Sequence, residues 1–159
     1  MPIKPKKYDG YRSFSYLEEG KDYKPYKLSR EYDRVEPFMY PVSKDEEEKV
    51  EKFMDENLVI SLHEHTFVTP DDLSQIFEFR RQGRDWTGYE GLSKSGLDVV
   101  FENFMDGTAF ITSNAGWKWN DVLHDLGIRY SDFAHQDLVI RAETTEDIYR
   151  AKKEGKIAF

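Results

Sequence analysis

The stretch Leu58-Val59-Ile60-Ser61-Leu62-His63-Glu64-His65 decides how the chain is interpreted. Its first five residues predict a buried strand, and two histidines follow at the carboxyl end of that strand. Successive side chains of a strand point to opposite faces, so His63 and His65 should share one side while Glu64 faces the other. Two neutral imidazoles on one side can bind one divalent ion. A polar strand end with two solvated histidines is the alternative.

Composition excludes several classes of protein. The chain has 159 residues, a net charge of -8 and no cysteine. An acidic chain lacks the basic stripe that a nucleic-acid surface needs. Without cysteine there is no disulfide framework, no thiolate nucleophile and no cysteine-based zinc site. The first residues lead into no apolar signal segment, and no apolar run has membrane length, so we expect a cytoplasmic protein that binds neither nucleic acid nor membrane.

Residues 1–42 are predicted to form a tyrosine-rich N-terminal extension, or arm, and residues 43–159 the folded domain. Seven of the ten tyrosines lie in the arm, with prolines and charges between them and without helical or strand periodicity. Such aromatic density is unusual for a disordered segment. The arm is therefore expected to wrap a surface of its own chain or of a neighbouring subunit. An arm that stacks on a peptide or a nucleic acid is the functional alternative.

The folded domain alternates between predicted helices and strands. Helices are expected over residues 44–56, 69–82, 117–135 and 144–154, and strands over residues 58–62, 97–105, 138–140 and from 156 onward. Ser43 and Glu46 form a capping box, Thr69 is expected to cap the second helix, and Asn57 is expected to end the first helix in the left-handed conformation. Residues 84–95 are predicted to be a loop.

The helix expected over residues 117–135 has the clearest periodicity, with apolar residues at steps of three and four. That pattern predicts a buried apolar stripe and leaves His124 on the polar surface. His135, at the end of the helix, is expected to interact favourably with the helix dipole rather than to bind a ligand.

Alternation of helices and strands is typical of a parallel sheet with right-handed crossovers, either a barrel or a doubly wound sheet. Ligands bind at the carboxyl ends of the strands in both, which is where His63 and His65 are expected. The sequence contains neither the glycine fingerprint of a dinucleotide-binding fold nor a phosphate-binding loop. A barrel with a metal at its mouth is therefore the better interpretation.

A family resemblance makes this interpretation more specific. Residues 146–158, EDIYRAKKEGKIA, resemble the helix and strand start that are characteristic of the membrane (renal) dipeptidase family, within the metal-dependent amidohydrolase superfamily. The order of elements is also similar, with a strand closed by the histidine pair, a strand after Gly96, a long helix and a third short strand. The resemblance covers about residues 58–159.

The resemblance implies an α/β fold, namely the N-terminal part of a TIM-type (β/α)8 barrel that is incomplete in this chain. It implies that His63 and His65 hold one or two zinc ions, and that metal-activated water hydrolyses an amide bond of a small-molecule substrate. Candidate pocket residues at the same face are Thr66, Phe67, Asp106, Arg141 and Glu143. A structural or solvent-facing role is the alternative for each of them.

The chain also departs from the family. His65 stands where the dipeptidases carry an aspartate, and the family's bridging glutamate, later histidines and catalytic aspartate would lie beyond Phe159. Two ligands leave a zinc ion under-coordinated, and no residue is assigned as the general base. We therefore expect a second polypeptide that completes the barrel within a heteromer. A non-catalytic structural partner subunit and a stand-alone metal-binding module are the alternative functions.

Overall fold

Four short strands form a parallel sheet in a computed structural model of the chain, which describes residues 4–36, 38, 40–103 and 118–159. The strands are β1 (Ile60–Glu64), β2 (Val99–Glu102), β3 (Val139–Ile140) and β4 (Ile157–Ala158). Their order across the sheet is β1-β2-β4-β3, and each neighbouring pair is parallel. The predicted α/β class with a parallel sheet is confirmed.

The strand order differs from that of consecutive barrel strands. In a (β/α)8 barrel each strand pairs with the next strand of the chain, which would place β3 between β2 and β4. Instead Val99 pairs with Ala158, so β4 lies directly beside β2. The two-residue strand β3 pairs with the other edge of β4. The chain therefore skips one strand position between β2 and β3, and β4 later occupies that position.

The described part of the chain contains five helices. They are α1 (Lys44–Glu56), α2 (Ile76–Arg80), α3 (Tyr89–Lys94), α4 (Trp119–Phe133) and α5 (Thr145–Glu154). Local signals in the sequence explain the ends of two of them. Ser43 and Glu46 form the predicted capping box of α1, Thr144 and Asp147 form that of α5, and Gly155 ends α5 with a φ of 73°.

Buried clusters lie on both faces of the sheet, since Val99 and Val100 are consecutive strand residues that point in opposite directions. The first cluster contains Tyr89, Leu92, Val100, Leu138, Val139 and Ile157, and the second contains Val99, Ala151 and Ala158. Helix α3 thus covers one face and α5 covers the other. Covering of both faces is typical of doubly wound sheets, which the alternating pattern had also allowed.

The strand that carries the histidines begins later than predicted. It spans Ile60–Glu64 rather than residues 58–62, so His63 lies within β1 and His65 directly follows it. The predicted burial of this strand is wrong, because Ile60 is 45% and Leu62 75% exposed. Strand β1 is at the edge of the sheet, and α5 covers Val99 and Ala158 in the neighbouring strands instead.

Three local predictions around β1 are corrected. Asn57 is extended at φ -124° rather than left-handed, because its backbone and side-chain amides both donate to the carbonyl of Phe53. The helix expected over residues 69–82 is reduced to a 3-10 turn, Leu73–Gln75, followed by α2. Ser29 donates its backbone N–H and its hydroxyl to the Thr69 carbonyl, which holds that stretch extended.

Two further corrections concern helices. The loop predicted over residues 84–95 contains α3, whose Tyr89 and Leu92 are buried in the first cluster. The spacing of Val50, Phe53 and Met54 in the sequence predicts an apolar stripe on α1, but α1 has no buried residue and Phe53 is exposed. Lys152 of α5 holds the end of α1 by donating to the carbonyls of Met54 and Asn57.

Helix α4 has nearly the predicted bounds but not the predicted buried side. Its buried residues are Asp125, Arg129 and Asp132, which recur at steps of four and three along one face of the helix. Trp119 and Leu123, from the apolar stripe, are exposed. The prediction of a buried apolar stripe is therefore wrong for these residues, and the polar face of α4 is the packed one.

The N-terminal segment packs on its own chain. Phe14 is 1% exposed and lies in a cluster with Val68, Phe79 and Trp86. The backbone N–H of Lys6 donates to the carbonyl of Ser93 at 2.7 Å. The arm therefore contacts one of the two surfaces expected for it. No helix in the described ranges combines the length and the apolar character needed to cross a membrane.

A buried carboxylate attaches this arm to the amino end of the sheet. Asp98 is buried, pairs with Lys6, and accepts hydrogen bonds from Lys152 Nζ at 2.8 Å and from the Val59 N–H at 3.0 Å. Burial alone would raise the pKa of Asp98, but the hydrogen bonds from Lys152, Lys6 and Val59 outweigh it, so the pKa lies below its ordinary value.

We expect the Asp98→Asn variant to lose about 2 to 3 kcal/mol of unfolding free energy at neutral pH, since charge-assisted hydrogen bonds are lost. A lowered carboxyl pKa contributes stability above the unfolded-state pKa of about 3.9, and that stability disappears as the pH falls through the folded-state pKa. The variant should therefore show a flatter loss of stability below about pH 4. Urea unfolding between neutral and acidic pH measures both effects, and the exposed Asp55→Asn substitution is the control.

Candidate metal centre

His63 and His65 converge on one side of β1, as their spacing predicted. Their Nε2 atoms are 3.2 Å apart, and the two rings lie nearly perpendicular with centroids 5.0 Å apart. Glu64, between them, is engaged elsewhere, because its Oε1 accepts the Ser61 hydroxyl at 2.6 Å. The strand therefore brings two imidazole nitrogens within hydrogen-bond distance of each other.

The orientation of the His65 ring is fixed by the neighbouring strand. His65 Nδ1 lies 3.2 Å from the carbonyl oxygen of Asn103. A carbonyl only accepts, so Nδ1 carries the proton and, in the neutral ring, Nε2 keeps its lone pair. A backbone carbonyl behind a histidine is the usual arrangement at metal-binding histidines, where it sets the tautomer and the ring plane.

The pair fits a tetrahedral ion. Two nitrogens that are each about 2.0 to 2.1 Å from one zinc ion, at the tetrahedral angle, are about 3.3 to 3.4 Å apart. The separation of the two Nε2 atoms is 3.2 Å. In the described ranges no cluster of three or more His, Asp, Glu or Cys side chains is arranged for a metal. The described residues therefore offer two ligands, and any third ligand has to come from elsewhere.

A buried carboxylate lies directly behind the histidine pair. Glu102, the last residue of β2, accepts the backbone N–H of Thr66 at 3.1 Å and its hydroxyl at 2.8 Å. Arg129 Nη1 of α4 forms an ion pair with its other oxygen at 3.1 Å. Burial raises the pKa of the Glu102 carboxyl, while Arg129, the Thr66 donors and His65 act in the opposite direction.

The buried charges continue away from the site. Arg129 Nη2 lies 3.3 Å from Asp85, and Asp85 also pairs with Arg80 of α2. These side chains are all buried. The sequence predicted no role for Glu102, Asp85 or Arg129. A single acid that ends the apolar strand Val99–Glu102 was the available signal for Glu102, whereas Arg129 is distant in sequence from both of its partners, Glu102 and Asp85.

The other predicted pocket residues differ in their position relative to the histidines. Phe67 lies beside His65, with ring centroids 6.3 Å apart, and packs under Arg80, whose guanidinium carbon is 4.0 Å from the Phe67 ring centroid. Arg141 and Glu143 pair with each other and line a cavity of about 570 Å³ at the carboxyl edge of β2, β3 and β4. Asp106 lies outside the described residues. Of the four candidates within the described residues, Thr66 is the one bonded to the buried carboxylate behind the pair.

The two remaining histidines lie away from the centre. His124 is exposed on α4, as expected. His135 follows the end of α4, where its Nδ1 lies 2.7 Å from the Ser131 carbonyl. Its ring stacks on Tyr16 of the arm at a centroid distance of 3.8 Å. His135 therefore contributes to the attachment of the arm.

No family model, no curated protein and no solved structure matches this chain. The resemblance to the dipeptidases therefore depends on residues 146–158 and on the order of the elements. Any function has to be argued from the geometry of the histidine pair and its surroundings.

Proposed function

We propose that the chain is the N-terminal part of a zinc-dependent amidohydrolase of the dipeptidase type, in which His63 and His65 hold one or two divalent ions. The observation that carries this proposal is the convergence of the two Nε2 atoms at 3.2 Å, with Nδ1 of His65 held by the Asn103 carbonyl. Bound zinc would lower the pKa of a water ligand toward about 7 and polarise the scissile amide carbonyl.

The two histidines have different roles in this proposal. His65 is partly buried and held by the end of β2, so it fixes the position of the ion. His63 is exposed, so the ion is open to solvent and to a small-molecule substrate on that side. Open coordination positions are what distinguish catalytic zinc sites from structural ones. The catalytic base stays unassigned, since no carboxylate joins the pair in a metal-binding group within the described residues.

A complementary polypeptide is the second part of the proposal. It would supply the further ligands and complete a barrel in which β1, β2, β4 and β3 are four neighbouring strands in that order. Strand β1 is an edge of the sheet, and its residues Ile60 and Leu62 are exposed. An apolar edge strand readily associates with another strand. Mass measurement of the native complex tests this part, because a chain that remains a monomer with bound zinc contradicts it.

A stand-alone metal-binding module is the second candidate function. It is favoured by the clusters on both faces of the sheet, because this chain's own helices already cover each face. Sedimentation velocity separates the two candidates. The module should sediment as a well-behaved monomer with bound metal, whereas the amidohydrolase subunit should associate with its partner and gain hydrolytic activity on complex formation.

Cobalt binding tests the metal site directly. In the full chain, Co²⁺ should give visible absorption bands of a histidine-ligated ion, and Zn²⁺ should displace it. His63→Ala and His65→Ala should each weaken Co²⁺ binding by more than about 100-fold, because losing a ligand exceeds the 10- to 100-fold cost of losing an outer partner. The exposed His124→Ala variant is the matched control and should bind like the wild type. A wild-type chain without cobalt bands, or equal losses in all three variants, would contradict the proposed site.

A further inference from the structure

The three residues at the end of β1 are each bonded to the end of β2. The Glu64 carbonyl accepts the Asn103 N–H at 3.0 Å, and the His65 ring donates to the Asn103 carbonyl. Glu102 then accepts both donors of Thr66. The backbone of His65 is thereby held on both sides, and its ring is held at Nδ1. Of these contacts, the hydrogen bonds between Glu102 and Thr66 are the ones that a side-chain substitution outside the histidine pair can remove.

Glu102 is itself held by buried charge. Its side chain is 8% exposed and that of Arg129 5% exposed, and Asp85 links Arg129 to Arg80. A charged group that is buried and bonded on two sides has little freedom to turn. These ion pairs therefore fix the Glu102 carboxylate, which holds Thr66, relative to α4 and α2.

We propose that Glu102 is the positioning residue of the metal centre, holding Thr66 so that the His65 ring faces His63. This inference rests on the proposed function. Glu102 acts through Thr66 rather than on the ion, because both of its oxygens are occupied by Thr66 and Arg129. In the wild-type chain the Glu102 carboxylate thus holds His65 in position beside His63 before an ion binds.

Two variants separate positioning from a contribution to folding alone. Glu102→Gln keeps an acceptor for Thr66 but loses the ion pair with Arg129, so it should be less stable than the wild type while binding Co²⁺ within about threefold of it. Thr66→Val keeps the ion pair but loses a hydroxyl that donates to the carboxylate, so it should lose less stability than Glu102→Gln while binding roughly 10-fold more weakly, the worth of one charge-assisted hydrogen bond. Glu102→Ala should weaken binding by about 10- to 100-fold.

The decisive result is whether the variants rank in the same order by Co²⁺ affinity as by stability. If Glu102 only supports folding, Co²⁺ affinity follows stability and Glu102→Gln binds more weakly than Thr66→Val, which would overturn the proposal. If Glu102 positions His65, the ranking by affinity is the reverse of the ranking by stability: Glu102→Gln is the less stable variant but binds Co²⁺ more tightly than Thr66→Val. Glu78→Gln is the control, because the exposed Glu78 carboxylate pairs with Lys24 away from the histidines, and it should change neither affinity nor stability measurably.

A measurement without metal keeps this inference distinct from the proposed function. Nitrogen chemical shifts of the His65 ring report its tautomer, which should carry the proton on Nδ1 in the wild type and in Glu102→Gln. Thr66→Val and Glu102→Ala should shift His65 toward a mixture of tautomers. If the wild type binds no Co²⁺ and the tautomer still changes in these variants, the metal function fails and the positioning role stands. If the tautomer is the same in all variants, the positioning role is overturned whether or not Co²⁺ binds.

Discussion

Replacing Asp132 with alanine should release the arm from the rest of the fold. Asp132 lies on the buried face of α4 and is 1% exposed. Its carboxylate accepts four donors, namely the hydroxyls of Tyr11, Ser13 and Tyr89 and the backbone N–H of Phe14, at 2.5 to 2.8 Å. Three of the four donors belong to the arm. The carboxylate is therefore the main polar attachment of residues 11–14.

The expected loss is large because the donors stay buried when the acceptor is removed. Each unsatisfied buried donor costs about 1 to 3 kcal/mol, so Asp132→Ala should lower the unfolding free energy by at least about 4 kcal/mol. Folded domains have about 5 to 15 kcal/mol in total, so the variant should be close to unfolding. Burial, together with the Asp132 carboxylate, raises the phenol pKa of Tyr89, which keeps this donor protonated over the whole range of folding experiments.

Urea unfolding and limited trypsin digestion measure the two effects of this substitution. Trypsin should cut the arm of Asp132→Ala early, at its lysines and arginines, while the wild type resists at the same sites. Asp137→Ala is the matched control, since Asp137 is an exposed carboxylate that pairs with Lys156 near the same helix. An exposed pair contributes at most about 1 kcal/mol. Equal losses in the two variants would show that the four hydrogen bonds of Asp132 do not hold the arm.

Local signals explain why parts of this fold were predictable. The ends of α1 and α5 are set by residues three positions apart, and Gly155 has the positive φ expected of it. The approach of His63 to His65 also follows from a local rule, the alternation of side chains along a strand. Each of these features involves residues that are neighbours in sequence, so one sequence was sufficient.

Distant partners explain what the sequence did not predict. Periodicity favoured the apolar side of α4, yet the structure buries Asp132 and Arg129 because Tyr11 and Glu102 bond them from far along the chain. The order of β3 and β4 is likewise set by tertiary pairing. A carboxylate at a strand end is ordinary in a sequence, so the role of Glu102 was invisible without its contacts.

Replacing Asp85 with alanine should have the second large effect on stability. The Asp85 carboxylate lies between two buried guanidinium groups, with Oδ1 paired to Arg80 and Oδ2 lying 3.3 Å from Arg129 Nη2. Without it, two positive groups face each other in a site of low polarity. Removing one partner of a buried ion pair typically costs about 3 to 5 kcal/mol, because the charge that stays behind keeps its desolvation penalty.

Asp85→Asn should lose less than Asp85→Ala, because the amide oxygen still accepts one hydrogen bond while the negative charge is gone. Urea unfolding at low and high salt measures the difference. Glu78→Ala is the control, since Glu78 pairs with Lys24 at 2.7 Å on the exposed surface, and it should cost less than about 1 kcal/mol and depend on salt. The loss in Asp85→Ala should persist at high salt, because buried charges are screened little. A salt-dependent loss of the size seen in Glu78→Ala would mean that the Arg80-Asp85-Arg129 chain is exposed to solvent and cannot hold Glu102 behind the histidine pair.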